Sequence, residues 1–506
     1  MRSIFIAALG FALVSCGSGS ANWRDLGGKC ASPRTGIDPA TGKPFPDQKG
    51  SLNDEKMFLR SWTDDTYLWY NEVPTLNPAQ FSSATAYFDQ LKTPAKTASN
   101  HDKDRFHFWI PTDQWEAMSQ SGVEVGYGIT WVVLQGPRAP RQYVAGFVEP
   151  RAPADGLITR GLQIISIDGA DFVNGTDQAT IDKLNAGLFP ATAGETHAFV
   201  MQAIGATSPN PAVNLVAAQV TSNPTPDVHI ITTPTGTVGY ILFNDHIATA
   251  EGALVNAIKN LQSLASPSPI SDLVLDIRYN GGGFLAIASQ LAYMIAGPGP
   301  TSGKTFEQIA FNDKHQSSDP VTHEPLAPTP FLNQTIGLSV PAGSPLPTLG
   351  LNRVFVLTGS GTCSASESIL NSLSGVDVQV IQIGGTTCGK PYGFYPQDNC
   401  GTTYFTIQFK GVNAKGFGDY ADGFVPGGVG AGMLTGCQVT DDFSRALGDP
   451  NEKRLAGALS YRASAACPAT NLIPSLVFGR ESSESGLAGD GPVLKSVWRQ
   501  NRILRR

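Results

Sequence analysis

The stretch Val354-Phe355-Val356-Leu357-Thr358-Gly359-Ser360-Gly361-Thr362-Cys363-Ser364-Ala365-Ser366-Glu367-Ser368-Ile369-Leu370 sets how the rest of the chain is read. Its first four residues form an unbroken apolar run, the pattern of a buried strand. Glycines and small hydroxyl residues follow, and then a run of helical character opening at Ser364. A strand that turns tightly into a helix places a small hydroxyl residue where neighbouring amides and the helix N-terminus favour developing negative charge. Ser364 and Ser366 are also residue types that cap helices. Taken alone, the stretch supports a nucleophile and a helix cap equally.

Around this turn, strand-like runs at 238–243, 273–277, 354–358 and 378–383 alternate with helical runs near 254–264, 284–296 and 364–373. Such alternation predicts an α/β layer of helices packed on a sheet. A loop-rich segment, 298–350, interrupts it. Two glycine turns lie at strand ends. Asp276-Ile277-Arg278-Tyr279-Asn280-Gly281-Gly282-Gly283 closes one strand and opens a helix. Glycines there let backbone amides approach a substrate oxygen, as an oxyanion hole requires, although a tight turn with helix packing accounts for them as well. Gly384-Gly385-Thr386-Thr387-Cys388-Gly389-Lys390-Pro391 follows another strand. A lysine in such a turn is ordinarily solvated, but once buried and neutral it serves as a base for a serine.

Upstream, a helical pattern from 54 to 88 carries Met57, Phe58, Trp62, Tyr67, Leu68 and Tyr70, then Ala84, Tyr87, Phe88 and Leu91, aromatics read as core. A β-rich unit spans 123–202, with a short helix expected at 150–157 between its strands. Residues 23–50 read as a linker, and the chain after 472 as polar and loosely held. The chain has 506 residues, 15% of them charged, and a net charge of −7 without a basic block. This leaves room for two or three domains and argues against nucleic acid as a partner. Arg2 and the apolar run 4–14 describe a secretory signal, and Leu13-Val14-Ser15-Cys16 resembles a lipobox in which Cys16 is lipidated and anchors the chain to a membrane. The remaining six cysteines suggest disulfides, with Cys388–Cys400 the first pair to try because the two are close in sequence and flank a loop. No metal-ligand spacing is present.

The two glycine turns and the serine turn, in this order, resemble the C-terminal processing peptidases, also called tail-specific proteases. That family carries an "asp-leu-arg-x-asn-x-gly-gly" turn, a "thr-ala-ser-ala-ser-glu" nucleophile turn and a "gly-lys" base about 25 residues later. The resemblance covers about 54–467. It implies Ser364 as nucleophile, Lys390 as general base and the amides of Gly282 and Ala365 as oxyanion donors, with no metal or organic cofactor. The β-rich unit resembles a PDZ domain, which implies Gly126, Tyr127, Gly128 and Ile129 as a peptide-binding loop. Two departures stand out. Phe394 occupies a position where many members have a lysine-orienting glutamine, leaving Gln397 or Glu367 as third residue. Cys363 replaces an alanine beside the nucleophile and is itself an alternative nucleophile.

The expected organisation is a multidomain α/β protein with crotonase/ClpP-like strand–helix layering. It comprises a signal peptide at 1–16, a linker at 17–50, a helical region at 51–120, a PDZ-like unit at 121–205, a catalytic domain at 226–467 and a loosely ordered tail at 468–506. The expected activity is Ser-Lys peptidase cleavage of exported proteins or peptides, on the periplasmic side of a bacterial cell envelope. The alternatives are a non-catalytic peptide-binding scaffold and another acyl hydrolase on the same frame.

Overall fold

The computed structural model describes residues 22–467, except 40, 98, 99, 137 and 429, together with 493–494 and 502–503. Cys16 and the signal run lie outside the described residues. Among the described residues, no helix is long and apolar enough to cross a membrane.

The frame is a six-stranded sheet of β1 Asp227–Thr233, β2 Gly236–Leu242, β3 Asp272–Asp276, β4 Arg353–Thr358, β5 Gln379–Gly384 and β6 Gly436–Gln438. Their order in space is their order in the chain. β1 and β2 form an antiparallel hairpin, and every later pair is parallel. Parallel neighbours need crossover connections, which carry helices α1 Ala250–Ala265, α2 Leu285–Ala296 and α3 Ala365–Gly375; α4 Lys453–Ser464 follows β6.

Alternate residues of the strands face opposite layers. Leu273, Leu275, Val354 and Val356 pack with Leu254, Leu291, Ile369 and Leu370 of α1–α3. Val274, Phe355, Leu357 and Ile381 pack with Leu455 and Ala458 of α4. A sheet covered on both faces explains the unbroken apolar runs. Each such side chain contributes roughly 1.5–3 kcal/mol by burial.

The β-rich unit holds a second sheet. Val213–Val216, Thr196–Ala203, Leu162–Ile167, Gln142–Val148 and Ile129–Gln135 lie side by side in that order, accompanied by the helix Gln178–Leu188. The helix expected at 150–157 is instead a run of turns. Pro150 and Pro153 offer no amide proton, and Gly156 sits at φ +74°.

The helix Leu52–Thr66 starts where Ser51 and Asp54 cap each other through side chain and backbone. Phe58, Trp62, Tyr87 and Phe88 are core, packed with Tyr404 of the larger domain, whereas Met57 stays exposed. The stretch 23–50 is not a linker. It begins with the helix Trp23–Leu26, buries Trp23, pairs Lys29–Cys30 with Gln48–Lys49, and is bonded to the body through Cys30–Cys400. That bond also overturns the Cys388–Cys400 expectation. The other pairs are Cys363–Cys388 and Cys437–Cys467. Proximity in sequence misled because Cys400 faces the N-terminal segment, while Cys388 faces the serine turn.

Candidate active site

Ser364 is fully buried, with φ +60° and ψ −113°. An ordinary N-cap residue has extended φ and ψ and accepts an amide through its hydroxyl. Ser364 has a backbone conformation rarely held by a residue with a side chain, and its Oγ has no hydrogen-bond partner. The turn around it is fastened to the glycine turn after β3. Cys363 donates its amide to the Asn280 carbonyl (3.1 Å), Thr362 its hydroxyl to the Ile277 carbonyl (2.9 Å), and Ser366 its hydroxyl to the Asn280 carbonyl (2.9 Å). Ser366 is thereby committed to a structural bond.

Glu367 joins this turn to the one carrying Lys390. Its carboxylate accepts the amides of Ser364, Gly389 and Lys390, each at 2.8 Å, and the Thr387 hydroxyl at 2.5 Å. Full burial pushes its carboxyl above the ordinary range, and these donors pull it back only in part. The Cys363–Cys388 disulfide closes the same junction covalently. Cys363 therefore has no thiolate to offer as a nucleophile. The sequence suggested Glu367 as a residue orienting the lysine. Its role in the structure is more basal, because it holds the backbone of both turns at one point.

Lys390 is fully buried. Its Nζ lies 4.5 Å from the ring centroid of Phe106 and 4.7 Å from that of Phe394, distances at which an aromatic face attracts a cation. The position expected to hold a glutamine does touch the lysine, but through a ring. Phe106 comes from the helical region far upstream and was missed in the sequence. Gln397, the other candidate for third residue, donates its amide to the Asp398 carbonyl (3.0 Å). No hydrogen bond joins Ser364 Oγ to Lys390.

The glycine turn is strongly constrained. Gly282 donates its amide to Asn280 Oδ1 at 3.0 Å, and Asn280 Nδ2 donates to the Phe243 carbonyl at 2.9 Å. At Gly283, with φ +138°, a Cβ would lie 2.5 Å from the His246 carbonyl oxygen, so only glycine fits. Ala365 opens α3, where an amide has no partner within the helix. The charged pair of the motif frames this turn from behind. Arg278, fully buried, binds Asp276 (2.9 Å), Glu452 (2.8 Å) and Asp441 (2.7 Å). Arg160 of the β-rich unit reaches Asp441 at 2.6 Å and the Tyr279 hydroxyl at 2.5 Å.

Gly126, Tyr127, Gly128 and Ile129 line a groove of about 610 Å³, facing Leu188 and Phe189. The Tyr127 ring turns inward against Phe199, at 5.5 Å between centroids.

Residues 237–394 match the family model for Peptidase family S41, and residues 54–108 match that for the Peptidase S41 N-terminal domain. Both matched regions are those of peptidase family S41. The matches support a serine-type peptidase acting on peptides or proteins. Among solved structures, one described as an S41 protease from Bacteroides fragilis NCTC 9343 is 20% identical, with a TM-score of 0.59, covering 81% of this chain and 97% of its own. It shares the fold of this chain. The photosystem II D1 C-terminal processing protease is 18% identical, covering 76% of this chain and 94% of its own, at a TM-score of 0.44. Mature CPAF is 11% identical, covering 82% and 95%, at 0.41. The comparison with curated proteins gives no match.

Proposed function

We propose that this protein is a serine endopeptidase of the bacterial cell envelope that cleaves exported proteins or peptides, with Ser364 as nucleophile and Lys390 as general base. One observation carries the reading: the Glu367 carboxylate binds the amides of both residues, fixing a buried, unbonded serine hydroxyl and a buried lysine to a common anchor. In the proposed reaction, uncharged Lys390 accepts the Ser364 proton as Oγ attacks the scissile carbonyl. The lysine then protonates the leaving amine, and water releases the acyl group by the reverse sequence. The amides of Gly282 and Ala365 take the oxyanion. For that, the Gly282 amide must leave Asn280 Oδ1. The loop 126–129 and its groove are proposed to receive extended substrate. Three disulfides support an oxidising compartment, and lipidation of Cys16 would anchor the chain there.

The missing Ser364–Lys390 hydrogen bond is also what a non-catalytic scaffold would show, although such bonds often tighten only with substrate. Digestion of an unfolded protein separates the two readings. Ser364→Ala and Lys390→Ala are each expected to lower the rate at least about 10³-fold with unchanged melting temperature. Undiminished cleavage by Ser364→Ala would sink the peptidase mechanism, and binding without turnover by the unmodified protein would favour the scaffold.

A further inference from the structure

Residues 491–506 read Gly-Pro-Val-Leu-Lys-Ser-Val-Trp-Arg-Gln-Asn-Arg-Ile-Leu-Arg-Arg, with five cations and no acid in a chain of net charge −7. From sequence this segment is a loosely held tail. Both of its described pieces are paired by backbone, one with the edge strand of a sheet and one with a short strand of two residues. Val493–Leu494 pairs antiparallel with Val132 and Trp131, on the edge strand of the β-rich unit. Arg502–Ile503 pairs in parallel with Gly283–Phe284, directly after Gly282. The same pair lies against Tyr392–Gly393, just past Lys390. The seven residues between the two pieces span at most roughly 29 Å. Two pieces of one short segment are therefore paired, one at the β-rich unit and one beside the candidate active site.

We infer that this segment is a built-in ligand of the cleft, whose strand Arg502–Ile503 occupies the backbone of Gly283–Phe284 and must leave before an extended substrate can pair there. Strand addition works through main-chain hydrogen bonds and tolerates many sequences, so the tail and a substrate compete for the same backbone groups. The neighbouring site is in a matching state: the Gly282 amide is engaged by Asn280, and Ser364 Oγ has no partner. Tethering raises a segment's effective concentration to roughly millimolar. A strand that binds with a Kd of about 100 μM when free would then exclude competitors about tenfold. The consequence for activity rests on the peptidase reading, whereas the docking does not.

The test uses a fluorescent 491–506 peptide and chains carrying Ser364→Ala, so that the peptide is not consumed. Its binding is measured to the intact chain, to a chain ending at residue 490, and to an intact chain with Arg502→Pro and Ile503→Pro. The prolines remove amides from the paired strand and leave the rest of the tail in place. The truncated and proline chains are expected to bind the peptide at least about tenfold more tightly than the intact chain, all three with similar melting curves. Equal affinity for the intact and truncated chains, or no binding by the truncated one, would overturn the inference. With Ser364 present, truncation is expected to raise cleavage of an unfolded protein by a similar factor. A truncated chain that binds the peptide but cleaves nothing would sink the peptidase reading and leave the docking standing.

Discussion

Glu367 and Asp441 are both buried carboxylates beside the six-stranded sheet, in different company. Glu367 meets amides and a hydroxyl. Asp441 meets Arg160, Arg278 and Arg454. Burial raises the carboxyl of Glu367 above its ordinary range. Burial would raise Asp441 too, but the three guanidinium groups override it and hold that carboxyl far below the ordinary range. Amides fix a carboxylate by direction and leave its charge uncompensated, which suits a joint between two turns. Arginines compensate charge and bridge distant segments, which suits a frame. In this protein the joint serves the proposed chemistry and the frame holds the fold.

The largest expected effect breaks the frame. Arg278→Ala leaves Asp276, Asp441 and Glu452 buried around a missing cation and should cost about 3–5 kcal/mol in denaturant unfolding. A loss below about 1 kcal/mol would show that the cluster is no frame. Next comes the joint's covalent half. Replacing Cys363 and Cys388 by alanine opens a loop with a sequence separation of 25 and should cost about 3 kcal/mol, with peptidase activity falling further than stability alone predicts. Unchanged activity in the folded variant would mean that Glu367 alone holds the two turns.

The smallest effect is one of sign with pH. Asp441 has a depressed folded pKa, so its contribution is present above its unfolded value near 3.8 and lost as pH falls toward the folded one. Glu367 has a raised folded pKa, so its contribution is present below its unfolded value near 4.5 and lost as pH rises through the folded one. Asp441→Asn should therefore flatten the acid side of the stability profile. Glu367→Gln should remove a decline above about pH 4.5, while leaving donors of the joint unsatisfied at about 1–3 kcal/mol each. Chemical unfolding from pH 3 to 8 reads both, and slopes of the same sign would refute the contrast.

The α/β frame was legible because β4 and its neighbours are apolar on both faces, and a run such as Val354–Leu357 has few other readings. The serine turn was legible because a strand, a glycine-rich bend and a helix lie next to one another in the chain. What failed was contact at a distance. Nothing local to Trp23 or Cys30 announces Cys400, so a packed segment read as a linker. Phe106 reaches Lys390 only through the tertiary fold. The tail pairs by backbone, which leaves no periodic mark on side chains. Glu367 was noticed for its place one turn from Ser364, but its hold on both turns was not legible, because most of its hydrogen bonds go to amides that every sequence possesses.

The Cys30–Cys400 bond, with a sequence separation of 370, sets a timetable. Ribosomes add about 5–20 residues per second, so Cys30 is made roughly 20–70 s before its partner. During that interval the first half-bond is an unpaired thiol, and Cys363 and Cys388 both emerge ahead of Cys400. Correct pairing then depends on thiol–disulfide exchange resolving any early mismatch. The segment 23–50 is thus made well before the residue that locks it in place.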